Sequence, residues 1–529
     1  MAQTDPAAKP FPTVALALLV ACAFAVIGYR SLSDALWSDE LLTTSLLSAD
    51  SLAKLWAGIR LGIDGNPPLY LTAAWLIVKP FTASASVPLL KLINLALAAA
   101  GVLVLVQIAR RVASRTACWI AALLFATLSN AFIYVASELR TYSLYFLLAA
   151  LAALCQQRLI ERRGAAEVVM LALSNVGLAM SHTFGIGYVG VIALAGWLSM
   201  PRGERPTKAI LAAVAPALIA VALWSPFLRD QLQVAKPYNW MLPPPLAVLI
   251  ETLFDSNATL LISMVEIAVV SAAALSALRK DRNAWRATLP DPTSQPMRFI
   301  RLALVGVTAV TLAAWLVSRL VFPIFVIRYL TPQLFLAFAL HVAFAEVLLR
   351  WRADYRIAVL AICAVVLPLA VRNVALHAQS SVHRKPYCAT ADGTFFEDGF
   401  VHGDLPVMVD SPHMFLPRAT YARHGETYRF PLDWDVVLNY PDRSRGNAVD
   451  YNLMQRLQQW QPMRQIATTE DILRAYSRFL VIEQPYRAWF LNLVTTRQVT
   501  AEKLAESKPA SDDELACTLW MVTRVAPRD

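Results

Sequence analysis

Two adjacent carboxylates, Asp39 and Glu40, stand in the segment Trp37-Ser38-Asp39-Glu40, shortly after a first apolar run. Such a pair suits a general base and its partner, because a hydroxyl acceptor needs a carboxylate to take or orient its proton as it attacks carbon. Ser38-Asp39-Glu40 equally fits a helix cap. Asp64-Gly65-Asn66-Pro67-Pro68-Leu69-Tyr70 follows. Gly and Pro punctuate a turn there, and the double proline opens a helix. Asp64 and Tyr70 flank that turn as binding candidates. Glu138-Leu139-Arg140-Thr141-Tyr142 lies between two apolar runs. A charged pair at such a boundary must be paired or reach water, and its arginine is suited to hold a phosphate. Glu138 and Tyr142 are its substrate-side neighbours. His182 interrupts a long apolar stretch, where a lone histidine is either a site residue or a satisfied core residue. Arg328-Tyr329 offers a second phosphate-binding arginine or an interface anchor. Lys91 sits four residues inside an apolar run and is harder to explain as an anchor.

The elements that would carry these residues are apolar helices. Of 529 residues, 57% are hydrophobic and 16% charged, against about a quarter charged in a soluble chain. Eleven runs are long enough to span a bilayer: 11–29, 87–108, 116–136, 141–157, 166–180, 183–200, 209–228, 256–278, 299–320, 329–349 and 356–372. The run Leu69–Val78 is too short to cross and reads as an interfacial or re-entrant helix. The first run lacks the basic start and small-residue cleavage site of a removed signal, so it is expected to be retained.

Charge sets the expected topology. With the N-terminus inside, the basic loops Arg110-Arg111, Arg162-Arg163, Arg202 to Lys208, Arg279-Lys280 and Arg350 to Arg356 all face the cytoplasm. The net charge of +10 is therefore a topology signal rather than a nucleic-acid one. Eleven crossings place the candidates near one outer boundary and residues 373–529 outside. That tail carries the short strand-like pieces Pro406–Val409, Phe479–Ile482 and Leu519–Val522. A helix-like stretch, Tyr451–Trp460, and a helix start at Thr469-Glu470-Asp471 accompany them. The expected architecture is a transmembrane domain, 1–372, with its first outer loop at 30–86, followed by a small α/β domain, 373–529. Cys22, Cys118, Cys155 and Cys363 fall in apolar runs and read as packing residues. Cys388 and Cys517 either close the tail as a disulfide or stay as free thiols.

In order and spacing, Trp37-Ser38-Asp39-Glu40, Asn66-Pro67-Pro68-Leu69-Tyr70, Glu138-Leu139-Arg140-Thr141-Tyr142, His182 and Arg328-Tyr329-Leu330-Thr331-Pro332 resemble the C-type membrane glycosyltransferases. The likeness is to the branch holding protein O-mannosyltransferases and the lipid A aminoarabinose transferase, over about residues 10–350. The resemblance implies a polyprenyl-phosphate-linked sugar donor, inversion at the anomeric carbon and Asp39 as base. It also implies donor-phosphate binding by Arg140 and Arg328. From its own position in the run, Lys91 is expected to face the same cavity and to join them on the phosphate. The histidine usual before the Pro-Pro pair is Asn66 here. An envelope acceptor and membrane lipid are the expected partners. No cofactor is expected to be obligatory, although some relatives use a divalent metal. The sequence shows no HExxH, CxxC or phosphate-cradling glycine loop. The inner membrane is the expected location. A transporter or flippase would show repeats and mid-membrane charges, and a polysaccharide polymerase would show a large late outer loop. Neither feature stands out, and a non-catalytic scaffold displaying the tail is the remaining alternative.

Overall fold

The computed structural model describes residues 13–81, 83–235, 241–255, 264–271, 293–350, 368, 372, 388, 394–439, 444–484, 487–507 and 516–525. The chain forms two compact units. The first is Met1–Leu32, Asn66–Ser225 and Met241–Gln379; the second is Ser33–Gly65, Pro226–Trp240 and Ser380–Asp529.

The first unit is helical. Among the described residues six helices are long and apolar enough to cross a membrane: Val14–Ser33, Ser86–Ala109, Tyr142–Arg162, Thr207–Gln233, Gln295–Leu320 and Ile327–Leu349. A seventh arises if the bent pair Arg115–Leu128 and Asn130–Ser137 counts as one span. The chain is thus a polytopic helical membrane protein. Ala165–Ser181 and Gly185–Ser199 are helices of 17 and 15 residues, short of the roughly 20 a full crossing needs. Leu69–Val78 is a ten-residue helix, where the short apolar run predicts one. Of the expected run 256–278 only 264–271 is described, and 356–372 lies outside the described residues apart from positions 368 and 372.

Tyr142–Arg162 is the axis of this unit. It packs on Ala83–Ala109, Ala165–Ser181 and Gly185–Ser199. Its Tyr145, Phe146, Ala149, Ala150 and Ala153 join Phe125 and Phe132 in one core. Small residues let helix backbones approach closely in such bundles. At Gly101 a Cβ would lie 2.5 Å from the Phe146 ring, so only glycine fits. The outer helices are inverted in character. Leu223 is 72% exposed and Val305 66%, surfaces that suit hydrocarbon and not water. Between Arg115–Leu128 and Asn130–Ser137 the chain bends by 75°. The buried Ser129 makes the break: its hydroxyl accepts from the Phe132 N–H at 3.1 Å and caps the second helix.

The second unit carries a six-stranded sheet: β1 (Val407–Met408), β2 (Tyr428–Pro431), β3 (Ile466–Ala467), β4 (Arg478–Glu483), β5 (Val499–Glu506) and β6 (Thr518–Arg524). The spatial order is β3-β2-β1-β4-β6-β5. β1 is parallel to β2 and β4, β2 is parallel to β3, and β6 lies antiparallel between β4 and β5. Helices Pro412–Tyr421, Ser444–Trp460, Thr469–Ala475 and Ala488–Thr495 alternate with the strands. This is the α/β arrangement read from the tail, with three expected strands at β1, β4 and β6. Thr468 caps the helix at Thr469 by accepting from the Asp471 N–H. Met408, Ile472, Phe479, Val481, Trp489 and Val522 form the core beside the sheet. Cys388 and Cys517 are joined as a disulfide with Cα atoms 6.0 Å apart, an ordinary separation for such a bridge.

The segment Ser33–Gly65 belongs to this unit rather than forming a loop on its own. Arg456 donates to the carbonyls of Leu61 and Gly62 at 3.0 and 2.8 Å. Trp460 Nε1 donates to the Lys54 carbonyl at 2.8 Å. A Cβ at Gly58 would lie 2.9 Å from that indole nitrogen, so the helix Leu52–Arg60 approaches Trp460 through glycine.

Candidate active site

In the first unit the candidates converge on the turn between Asn130–Ser137 and Tyr142–Arg162. The carbonyls of Glu138 and Arg140 lie between two helices, outside the backbone ladder of either. Asn94, 1% exposed on helix Ala83–Ala109, reaches both. Its Nδ2 donates to the Glu138 carbonyl at 2.7 Å, the Arg140 carbonyl at 3.1 Å and the Tyr70 hydroxyl at 3.0 Å. One turn earlier Lys91, also buried, donates to the Ser31 carbonyl, and Ser31 Oγ donates to the Ser137 carbonyl at 2.8 Å. Thr141 Oγ1 donates to the Ser181 carbonyl at 2.8 Å, which ties this turn to His182. Tyr70, Lys91, Glu138 and Arg140 thus share one buried network. Glu138 and Arg140 are both buried, and charges buried at a span end need partners.

His182 sits among rings. It stacks on Tyr145 at 4.7 Å and lies 5.1 Å from Tyr329 and 6.1 Å from Tyr142. Its Nδ1 accepts from the Phe184 N–H at 3.2 Å, which leaves the proton of the neutral ring on Nε2. Arg328 is the second residue of the kinked seven-residue segment Ile327–Gln333 that leads into the helix Leu334–Arg350. Its guanidinium lies 5.9 Å from the Tyr329 ring and donates to Tyr134 Oη at 3.4 Å. A cavity of about 400 Å³ opens there, lined by Tyr134, Glu251, Asp255, Arg328, Thr331 and Gln333 among others. Asp255 Oδ1 accepts from the Ala131 N–H at 2.9 Å, at the start of the helix that follows the Ser129 break. The cavity therefore combines a guanidinium suited to an anion with carboxylates suited to hydroxyls.

Asp39, Glu40 and Asp64 lie in the second unit. Helix Ser38–Leu47 starts where the sequence offers a cap, and Glu40 Oε2 accepts from the Trp37 N–H at 3.1 Å. Glu40 is 2% exposed; its carboxylate closes the first turn, as the third residue of a capping box does. Asp39 is half-buried in that same turn, where backbone N–H groups favour negative charge. Asp64 is buried, and its carbonyl accepts from Gln231 Nε2 at 3.4 Å. Tyr421 Oη accepts from the Leu36 N–H at 3.1 Å, one residue ahead of the Trp37 that opens the cap.

Sequence reasoning missed Asn94, Tyr134, Glu251 and Asp255. Asn94 carries a usable signal, a polar side chain inside an apolar run one turn from Lys91. The others have none, since their partners are distant in sequence. Among the described residues no group of three or more His, Cys, Asp or Glu side chains could hold a metal ion.

These features define the C-type membrane glycosyltransferase fold, the one the sequence resembles. The chain is similar to ArnT from Cupriavidus metallidurans bound to undecaprenyl phosphate, with a TM-score of 0.54, 12% identity, and 96% of this chain and 98% of that chain covered. The apo form of the same ArnT gives 0.54 at 13% identity over the same shares. A lower TM-score of 0.45, at 11% identity, relates it to the archaeal oligosaccharyltransferase AglB from Archaeoglobus fulgidus, covering 90% of this chain and 70% of that one. No protein family and no curated protein matches the chain by sequence.

Proposed function

We infer that this protein is a membrane glycosyltransferase that moves a sugar from a polyprenyl-phosphate carrier to an envelope acceptor at the outer face of the inner membrane. The observation that carries the reading is the full-length likeness to an ArnT captured with undecaprenyl phosphate. In this reading Arg140 and Arg328 hold the donor phosphate and stabilise the charge left on it as the glycosidic bond breaks. Lys91 holds the span end beside them. His182, Tyr142 and Tyr329 form the aromatic wall behind the sugar, with Tyr70, Glu138 and Asp64 as further substrate contacts. Asp39 takes the proton from the acceptor hydroxyl as it attacks the anomeric carbon, and the sugar is inverted. Glu40 serves by fixing the turn that carries Asp39. The chemistry needs no resident cofactor, and a divalent cation at the carboxylates is compatible with it. The tail lies outside, in keeping with its disulfide.

The test is Asp39→Asn in a strain lacking the native protein, with mass spectrometry of envelope glycans and lipids. The deletion strain should lack one sugar. Re-expressed wild type should restore it, and Asp39→Asn at equal membrane abundance should not. Restoration by Asp39→Asn would remove the base assignment, and an unchanged glycan profile in the deletion strain would remove the transferase reading itself.

A further inference from the structure

The segment bearing Asp39 is held by a chain of polar groups from the tail that the reaction itself does not use. Helix Pro412–Tyr421 packs on helix Ser38–Leu47 within the second unit. His413 Nδ1 lies 2.5 Å from Ser38 Oγ, immediately before Asp39. Its Nε2 lies 3.9 Å from Asp450 Oδ1, an ion-pair rather than a hydrogen-bond distance. Asp450 is itself fixed: Arg487 Nη2 donates to its Oδ2 at 2.7 Å. The same guanidinium donates to Ser411 Oγ at 3.0 Å and to the Asp410 carbonyl at 3.2 Å, just ahead of His413. Arg487 and Asp450 have side chains about 11% and 10% exposed, and His413 is 40% exposed. The order is therefore a buried ion pair, an imidazole at its edge, a serine, then the candidate base.

The chemistry gives each member a role. A carboxylate beside Nε2 favours the tautomer with its proton there, so Nδ1 is left to accept from the Ser38 hydroxyl. That bond fixes the first residue of a short helix, and Asp39 follows on the next residue, so a change at Ser38 turns the Asp39 side chain. Burial works against the charge on Arg487, yet Asp450 and Asp410 together hold its pKa above the ordinary range. The guanidinium therefore stays charged and anchors the relay at its far end.

We propose that His413 is a positioning residue for Asp39, coupling the tail domain to the transfer step through Ser38. This rests on the transferase reading and on Asp39 as its base. A misplacement of the order of 1 Å in such a group costs about a hundredfold in rate.

The test uses the full-length protein with His413→Ala, His413→Asn, Ser38→Ala and the Ser38→Ala/His413→Ala double variant. Binding is read with undecaprenyl phosphate on protein in detergent micelles. Transfer is read in membrane vesicles of the deletion strain, as the sugar missing from that strain. His413→Ala should lower the transfer rate about 10- to 100-fold while affinity for undecaprenyl phosphate stays within about twofold. His413→Asn, whose amide can still meet Ser38, should recover most of the rate. The double variant should be no slower than the slower single one, because both remove one bond. Wild-type rates in His413→Ala overturn the proposal, as does a folded His413→Asn no faster than His413→Ala. Should His413→Ala not fold, Ser38→Ala carries the decision: a full rate overturns the proposal and a loss at intact affinity supports it. An Asp39→Asn variant that still transfers refutes the base, whereas an inactive Asp39→Asn beside an unaffected His413→Ala refutes only the relay.

Discussion

Asn94 offers the sharpest test of how the phosphate-side turn is built. Its Nδ2 serves three buried oxygens, two of them the carbonyls of Glu138 and Arg140. Asn94→Leu keeps the volume and removes the donors. A buried acceptor left bare costs about 1–3 kcal/mol in soluble proteins, while single hydrogen bonds inside membrane helices average nearer 0.6 kcal/mol. The Tyr70 hydroxyl can rotate to another partner, but the two carbonyls are fixed by the helix ends. Between these limits a destabilisation of about 2 kcal/mol is expected. The share that reaches Arg140 should weaken undecaprenyl phosphate binding about tenfold, equivalent to roughly 1.4 kcal/mol. Asn94→Asp should be worse than Asn94→Leu, because it aims a carboxylate at oxygens that need donors. The assays are thermal melting in detergent micelles and titration with undecaprenyl phosphate. Wild-type melting and affinity in Asn94→Leu, or an Asn94→Asp variant better than Asn94→Leu, would refute this account of the turn.

Two further outcomes follow from the tail. Burial pushes the Asp410 carboxyl up from 3.8 to about 6, despite the nearby Arg487. A raised carboxylate pKa in the folded state means that this group's contribution is present below about pH 4 and lost as pH rises through 6. The loss is about 3 kcal/mol. The melting temperature of Asp410→Asn relative to wild type should therefore climb between pH 4 and pH 6 and then level off; a flat or falling difference contradicts the burial argument. Cys388 and Cys517 close a loop with a sequence separation of 129, so Cys388→Ser/Cys517→Ser should cost about 5 kcal/mol on the chain-entropy account. Equal melting of this double variant and wild type under non-reducing conditions would count against that cross-link.

Much of the fold is legible because long apolar runs and helix caps are local. The runs at 87–108, 141–157 and 299–320 fall on Ala83–Ala109, Tyr142–Arg162 and Gln295–Leu320. The ten residues Leu69–Val78 agree to the residue, since Pro68 precedes them and Lys79 follows. The run 116–136 reads as one span, yet the chain turns sharply inside it. Ser129-Asn130 held the clue, but hydropathy averages over so short a cap. The first-loop acidic pair divides between its two readings: Glu40 caps a helix and Asp39 remains the candidate base. Asn94 and His413 act on residues 44 and 375 positions away, and such pairings leave no mark in periodicity or spacing. The attachment of Ser33–Gly65 to the tail is unreadable for the same reason.

The sheet order has a consequence for how this half of the protein is made. β5 pairs with β6 alone, and β6 is also the antiparallel neighbour of β4. Until Thr518–Arg524 has been synthesised, β5 has no partner and β4 offers an open edge. Cys517, which locks the sheet to Cys388, immediately precedes that strand. The last strand and the covalent clasp therefore arrive together, after more than a hundred residues of waiting chain. Non-local closure of this kind is slow and exposes strand edges meanwhile. Closure of the β4–β6–β5 side of the sheet is thus a late event, and folding helpers on the side where the tail emerges would have to guard that edge until then.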